Sequence, residues 1–243
     1  MSAIIRAVCG ALIILAALLT SASVSAQPLI MLLVGDKIAS EDFVGGITAG
    51  VSVTNISNVD GAQALPSWSF GAAFHWRLNH HWHFAPEVAF KSPGGARGLG
   101  GLWATTPSID SALTDRSEWL STSYVAIPLL VKYRFDRFYL VAGPQVSYLV
   151  AATDNIEGAT AEGTTIVAER SAFGRLNRWD LGAVVGFDVM LVPSYGINSI
   201  RIGARYYQGL ADVVNDASVV QRNSGFTVTV GIPIGGSTEP TQE

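Results

Sequence analysis

The sequence is short of charge, of cysteine and of long apolar runs, and each shortage closes off a class of protein. Only 14% of its 243 residues are Asp, Glu, Lys or Arg, with a net charge of −4, whereas a soluble globular domain carries roughly 25%. A charge set so thin and slightly acidic builds no basic patch, which argues against a nucleic-acid partner. The single cysteine is Cys9, so no disulfide framework is available. Beyond the first 26 residues no apolar run approaches the ~20 residues of a spanning helix. The nearest is LIMLLV at residues 29–34. A membrane-embedded chain of this kind must cross as a closed β-barrel, because only helices and barrels satisfy their backbone in lipid.

The N-terminus accounts for part of the apolar excess. Residues 1–26 carry Arg6, an apolar run over 7–19 and Val24-Ser25-Ala26 before Gln27. This is the layout of a signal peptide cleaved after Ala26. The apolar run is too short for an anchor, and Cys9 precedes most of it, unlike a lipoprotein cysteine. The expected organisation is a signal peptide (1–26), a periplasmic lead-in (27–41), a barrel (42–234) and a polar periplasmic tail (235–243).

What is abundant is alternation of period two. It recurs over residues 43–54, 68–78, 81–91, the two arms of a hairpin within 124–149, 179–191, 199–208 and 226–234. The connections alternate as well. Short ones fall at 79–80, 136–137 and 192–198; long Gly-, Ser-, Thr- and Asn-rich ones fall at 55–67, 92–121, 151–178 and 209–224. Eight strands with alternating short and long connections predict an all-β, antiparallel, up-and-down transmembrane barrel with its long loops outside.

A soluble lipocalin-like carrier also alternates, so the composition of the two faces decides. One face is mostly Gly, Ala, Ser and Thr, the small residues a narrow lumen needs. The other is apolar, and its large aromatics gather near strand ends. Trp76, Trp82, Tyr133, Phe135 and Phe138 lie beside the short turns, and Trp68, Tyr148, Trp179, Tyr206 and Phe226 beside the long loops. Two rims of this kind predict aromatic girdles at the two membrane interfaces. On the small face fall Arg77, Glu87, Lys91, Lys132, Arg134, Asp180, Asp188, Arg201 and Arg205. Unpaired buried ions are costly, so these are expected to pair across the lumen and plug it.

Three motifs suggest chemistry. NHHWHF places His81 and His83 on one strand face beside His80, a weak metal signal without carboxylate or thiol partners. Ser69, His75 and Asp180 or Asp188 are the residues for a hydrolase triad on lipid, but no nucleophile turn singles them out. The glycines of GGARGLGG, residues 94–101, read as a flexible external loop because a phosphate cradle needs a strand–loop–helix setting. No metal or cofactor is expected.

The arms YVAIPLLVKYRF and FYLVAGPQVSYLVAA resemble the outer-membrane β-barrel domain family common in Bacteroidetes-type bacteria, often labelled porin-family or PorT-like. FAPEVAFKSPGGA, WDLGAVVGFDV and IRIGARYYQGLADV follow in the family's order. The resemblance implies an eight-stranded outer-membrane barrel and no shared catalytic residues. The final strand, TVTVGIPI, departs from the aromatic ending common in such barrels. The expected role is structural or surface-interacting, with a protein or surface ligand at loops 92–121 and 151–178, which hold Trp103 and Trp119. Outer-membrane lipid is the other partner, and a narrow pore for ions or small solutes is the alternative. Pro128 and Pro144 lack ladder donors and fall at neighbouring rungs, predicting a bulge or a widened ladder.

Overall fold

The computed structural model describes residue 40 and residues 42–99, 114–161, 163–215 and 219–234. The expected signal peptide, most of the lead-in, the tail and Trp103 lie outside these residues. Nine strands are described: β1 (Phe43–Ile56), β2 (Leu65–Arg77), β3 (Trp82–Arg97), β4 (Thr114–Phe135), β5 (Phe138–Ala159), β6 (Thr165–Ser171), β7 (Trp179–Met190), β8 (Arg201–Gly209) and β9 (Asn223–Ile234). Eight of them close a ring in which each pairs antiparallel with its neighbours, β5 passing directly to β7 and β9 returning to β1. β6 stands outside the ring and hydrogen-bonds to β5.

The short turns are fixed locally. Asp136 takes φ 53° in the two-residue turn that pairs Phe135 with Phe138, a left-handed conformation that Asp tolerates better than most residues. At the other hairpin the Asn79 side chain accepts from the backbone N–H of His81 at 3.0 Å and of Trp82 at 2.9 Å, an Asx-type closure.

Among the described residues, two long loops expected from composition are largely strand. β3 runs on to Arg97, β4 begins at Thr114, β5 continues to Ala159, and β5–β6 form a further hairpin. β4 and β5 are therefore 22 residues each, where 9–11 would cross a bilayer. The excess length is polar on its outward side, at Ser117, Ser121 and Ser123. The alternation persists inward, at Glu118, Leu120, Thr122 and Tyr124, all buried. The GGARGLGG glycines begin inside β3, where Gly94 and Gly95 are buried; a side chain at Gly95 would run into the Leu120 carbonyl.

Polarity is inverted relative to a soluble protein. Large apolar side chains cover the outside, including Val51, Leu181, Val185, Phe187, Val230 and Ile232, while Glu87, Lys132, Asp188 and Arg201 are buried inside. A water-soluble carrier requires the opposite arrangement, whereas an apolar outer band around a polar interior suits a lipid bilayer. The ten aromatics expected at the two rims lie on this outer face, with Trp82 against Tyr133, Phe135 against Phe138 and Tyr148 against Trp179.

The prolines act differently from expectation. Pro128 stays opposite Gln145, and the same β4–β5 register resumes at Val131 opposite Ala142. There is no bulge. Pairing lapses only at the two rungs between them, and β3–β4 pairing lapses likewise between Pro86–Leu129 and Ala89–Ala126. The ladder is not widened either. A side chain at Gly143 would collide with the Leu129 carbonyl, so the two backbones converge where their hydrogen bonds are missing. Glycine is what permits that approach.

Candidate functional site

The lumen is the site that the fold builds, and it is layered from the end with the short turns towards the end with the long strands. At the mouth Arg77 Nε donates to Asp42 at 2.7 Å and Arg134 Nε donates to the Asp136 carbonyl at 3.1 Å. Both arginines therefore sit at the rim, where they are partly exposed. Above them His75 Nε2 and His83 Nδ1 share a hydrogen bond of 2.9 Å, with both rings edge-on to Tyr139. Arg201 donates to the Ile197 carbonyl at 2.8 Å.

The next layer is charged. Lys132 Nζ meets Asp188 Oδ2 at 2.6 Å, Arg205 Nη1 meets Glu87 Oε2 at 2.7 Å, and Arg205 Nη2 reaches Asp188 at 3.5 Å. These four side chains come from β3, β4, β7 and β8, so the network ties together strands on different sides of the ring. Glycines make the room. Gly203 lies opposite Asp188 and Gly186 opposite Arg205; a Cβ at Gly203 would strike the Asp188 carboxylate, and one at Gly186 would come within 3.1 Å of Arg205 Cγ.

Beyond the charged layer a polar chamber of about 100 Å³ is floored by Glu87 and Arg205 and roofed by Tyr124, Asp180 and Asn223. Asn223 Nδ2 donates to Asp180 Oδ2 at 2.9 Å and to the Tyr124 hydroxyl at 3.1 Å. Further out, Ile56, Leu99, Leu120, Leu149, Leu176 and Val213 form a buried apolar cluster with Val59 and Phe173 packed on it. Residues from all four outer connections contribute, so the connections fold inward into a cap over the chamber.

Sequence reasoning misplaced some residues. Lys91 is not in the lumen: the β2–β3 register shifts between Phe70 and Gly71, setting Lys91 opposite Phe70 and over the Trp68 ring at 3.7 Å. A bulge residue reverses every side chain beyond it, and alternation alone gave no sign of one. His81 and His83 do not share a face, since His81 stacks on Tyr133 outside while His83 is buried within. No group of three metal-ligating side chains gathers among the described residues. Nor do Ser69, His75 and an aspartate assemble: His75 bonds His83, Asp188 bonds Lys132, and Asp180 bonds Asn223. Asn223, Tyr124 and Tyr139 were missed as lumen residues. For Asn223 the reason is that polar residues 209–224 read as loop, although β9 begins there.

A closed ring, an apolar exterior and a charged, layered interior agree with the family whose sequence model, described as outer membrane protein beta-barrel domain, matches residues 39–215. The chain belongs to this family. It is accordingly an outer-membrane β-barrel protein of Gram-negative bacteria. No curated protein sequence matches it. Among solved structures it is similar to Ail, the attachment invasion locus protein of Yersinia pestis, at 11% identity and TM-score 0.40 over 80% of this chain and 100% of that one. It is similar to Acinetobacter baumannii CarO at 11% identity and TM-score 0.36, covering 76% and 96%. It is also similar to the Escherichia coli outer membrane protease OmpT at 9% identity and TM-score 0.33, covering 79% and 95%.

Proposed function

We propose that this family member is a non-conducting, non-enzymatic membrane anchor that presents its outer sheet to a partner at the cell surface. The observation carrying this reading is the double closure of the lumen. The Lys132–Asp188–Arg205–Glu87 layer crosses it, and the apolar cap closes the outer end. An ion passing through must break a buried charge network and then cross a desolvated apolar layer, and both steps oppose conduction.

The outer sheet supports the presenting role. Beyond the girdle β4 and β5 continue for about ten residues, roughly 30 Å of strand. β6 pairs with β5 alone among the described residues and so adds an edge, with Ile166 and Val167 exposed. Arg170 and Arg175 both reach the buried Asp154, at 2.9 and 3.1 Å, and hold the hairpin against the barrel. An exposed edge carrying apolar side chains offers hydrogen bonds and contact area to a protein partner.

Two measurements test the two halves. Purified protein in planar bilayers is expected to give no steady single-channel conductance, and a steady open level would replace the anchor with a pore. A photo-crosslinking residue at Val167 on intact cells is expected to trap a surface partner. The same residue at Ile232, on the lipid-facing band, serves as the control; equal adducts at both sites would remove the docking role.

A further inference from the structure

We propose that the lumen binds a single small anion of the halide class on the Arg201 guanidinium, where the histidine pair meets the charged layer. A cavity of about 20 Å³ opens there, and its walls carry three cations and two carboxylates: Lys132, Arg201 and Arg205 against Glu87 and Asp188. Lys132 is held by Asp188 at 2.6 Å and Arg205 by Glu87 at 2.7 Å. Arg201 is 8% exposed and makes no ion pair among the described residues. Its Nη1 donates only to the neutral Ile197 carbonyl, at 2.8 Å. Glu87 and Asp188 act on Arg201 from a distance, but each is already bonded to a nearer cation. The cavity is thus left with one positive charge in excess.

His75 supplies a second, independent observation. It is 2% exposed and lines the same cavity. Its Nε2 is taken by His83 Nδ1 at 2.9 Å, whereas its own Nδ1 is buried without a partner. Buried polar atoms are normally satisfied, so an orphan beside an unmatched guanidinium calls for an occupant. A bound anion selects one tautomer: His75 Nδ1–H donates to the ion, and His83 Nδ1–H donates to His75 Nε2. Arginine carries five N–H donors, so most of those on Arg201 remain for the ion. Size sets the class. One water requires ~10–15 Å³ of such space, so the cavity admits one monatomic ion and excludes phosphate, sulfate and organic acids. Water alone would fill the space but leave a buried cation without a counter-ion, which is costly.

The full chain, refolded in detergent micelles, is melted in sodium chloride and in sodium gluconate at equal ionic strength. Gluconate is too large for the cavity, and the shared cation removes any effect of sodium. Chloride that binds the native state raises its melting temperature with concentration, because the unfolded chain has no site. Wild-type protein is expected to melt several degrees higher in chloride than in gluconate. Arg201→Gln is expected to erase the difference, and Arg97→Gln, an exposed charge removed elsewhere, to keep it. His75→Phe keeps the guanidinium but removes the imidazole donor, so it is expected to need several-fold more chloride for the same rise. This last variant decides the matter if Arg201→Gln does not fold. Equal melting of wild type in both salts would overturn the site, leaving water beside the guanidinium. An undiminished chloride response in Arg201→Gln or in His75→Phe would equally overturn it. None of these outcomes bears on whether the barrel conducts, which is read separately in bilayers.

Discussion

Asp188→Ala is expected to cost about 3–5 kcal/mol of unfolding free energy, the penalty for leaving a buried ion without its partner. Lys132 Nζ lies 2.6 Å from Asp188 Oδ2, and the two side chains are 4% and 2% exposed. Water therefore cannot take over from the lost carboxylate. Arg205 retains Glu87 at 2.7 Å, so the loss falls mainly on Lys132. Removing the lysine's charge as well separates charge from packing. The double variant Lys132→Met, Asp188→Asn is expected to recover at least half of the deficit, since a neutral pair needs no buried counter-ion. Urea titration of protein inserted in lipid vesicles measures both. A single-variant loss below about 1 kcal/mol, the value of a solvated pair, would mean that water reaches this layer and that the lumen is not plugged there.

Gly143→Val is expected to prevent the barrel from closing, seen as loss of the compact, heat-modifiable form on cold SDS gels. Ordinary overpacking in a core costs about 1–3 kcal/mol because side chains shift out of the way. Here the obstacle is backbone. A Cβ at Gly143 meets the Leu129 carbonyl oxygen, with Leu129 C at 2.9 Å and Leu130 Cα at 3.0 Å. Neither strand can retreat without unpicking the β4–β5 register on both sides, at Pro128–Gln145 and at Val131–Ala142. Gly174→Ala is the matched control, because its Cβ meets nothing within 4 Å, and it is expected to fold as wild type. Normal folding of Gly143→Val would show that the two strands separate at the proline rungs after all.

These two sites mark where reading along the chain succeeds and where it stops. Lys132, Asp188, Arg205 and Glu87 are assigned to one face by alternation, since period two needs no knowledge of neighbours. Their pairing is not readable, because it depends on which strands close the ring and in what stagger. Lys91 fails for a related reason: an inserted residue moves it across the sheet without altering the local composition. The 92–121 and 151–178 segments fail differently. Their Ser, Thr, Asn and Asp content signals loop inside a protein core, but a strand rising into water can carry those residues outward and still be strand.

Period and composition alone specify the barrel: eight alternating segments, an apolar face too extensive for water, two aromatic rims and the two-residue turn that pairs Phe135 with Phe138. These properties are local or periodic, and each is written in residues close together along the chain. Closure of the ring sets the division of the lumen into a histidine pair, a four-residue charge layer, a chamber beside Asp180 and an apolar cap. Those features join residues as distant in sequence as Glu87 and Arg205, and such partners meet only when β9 returns to β1 and the ring is closed.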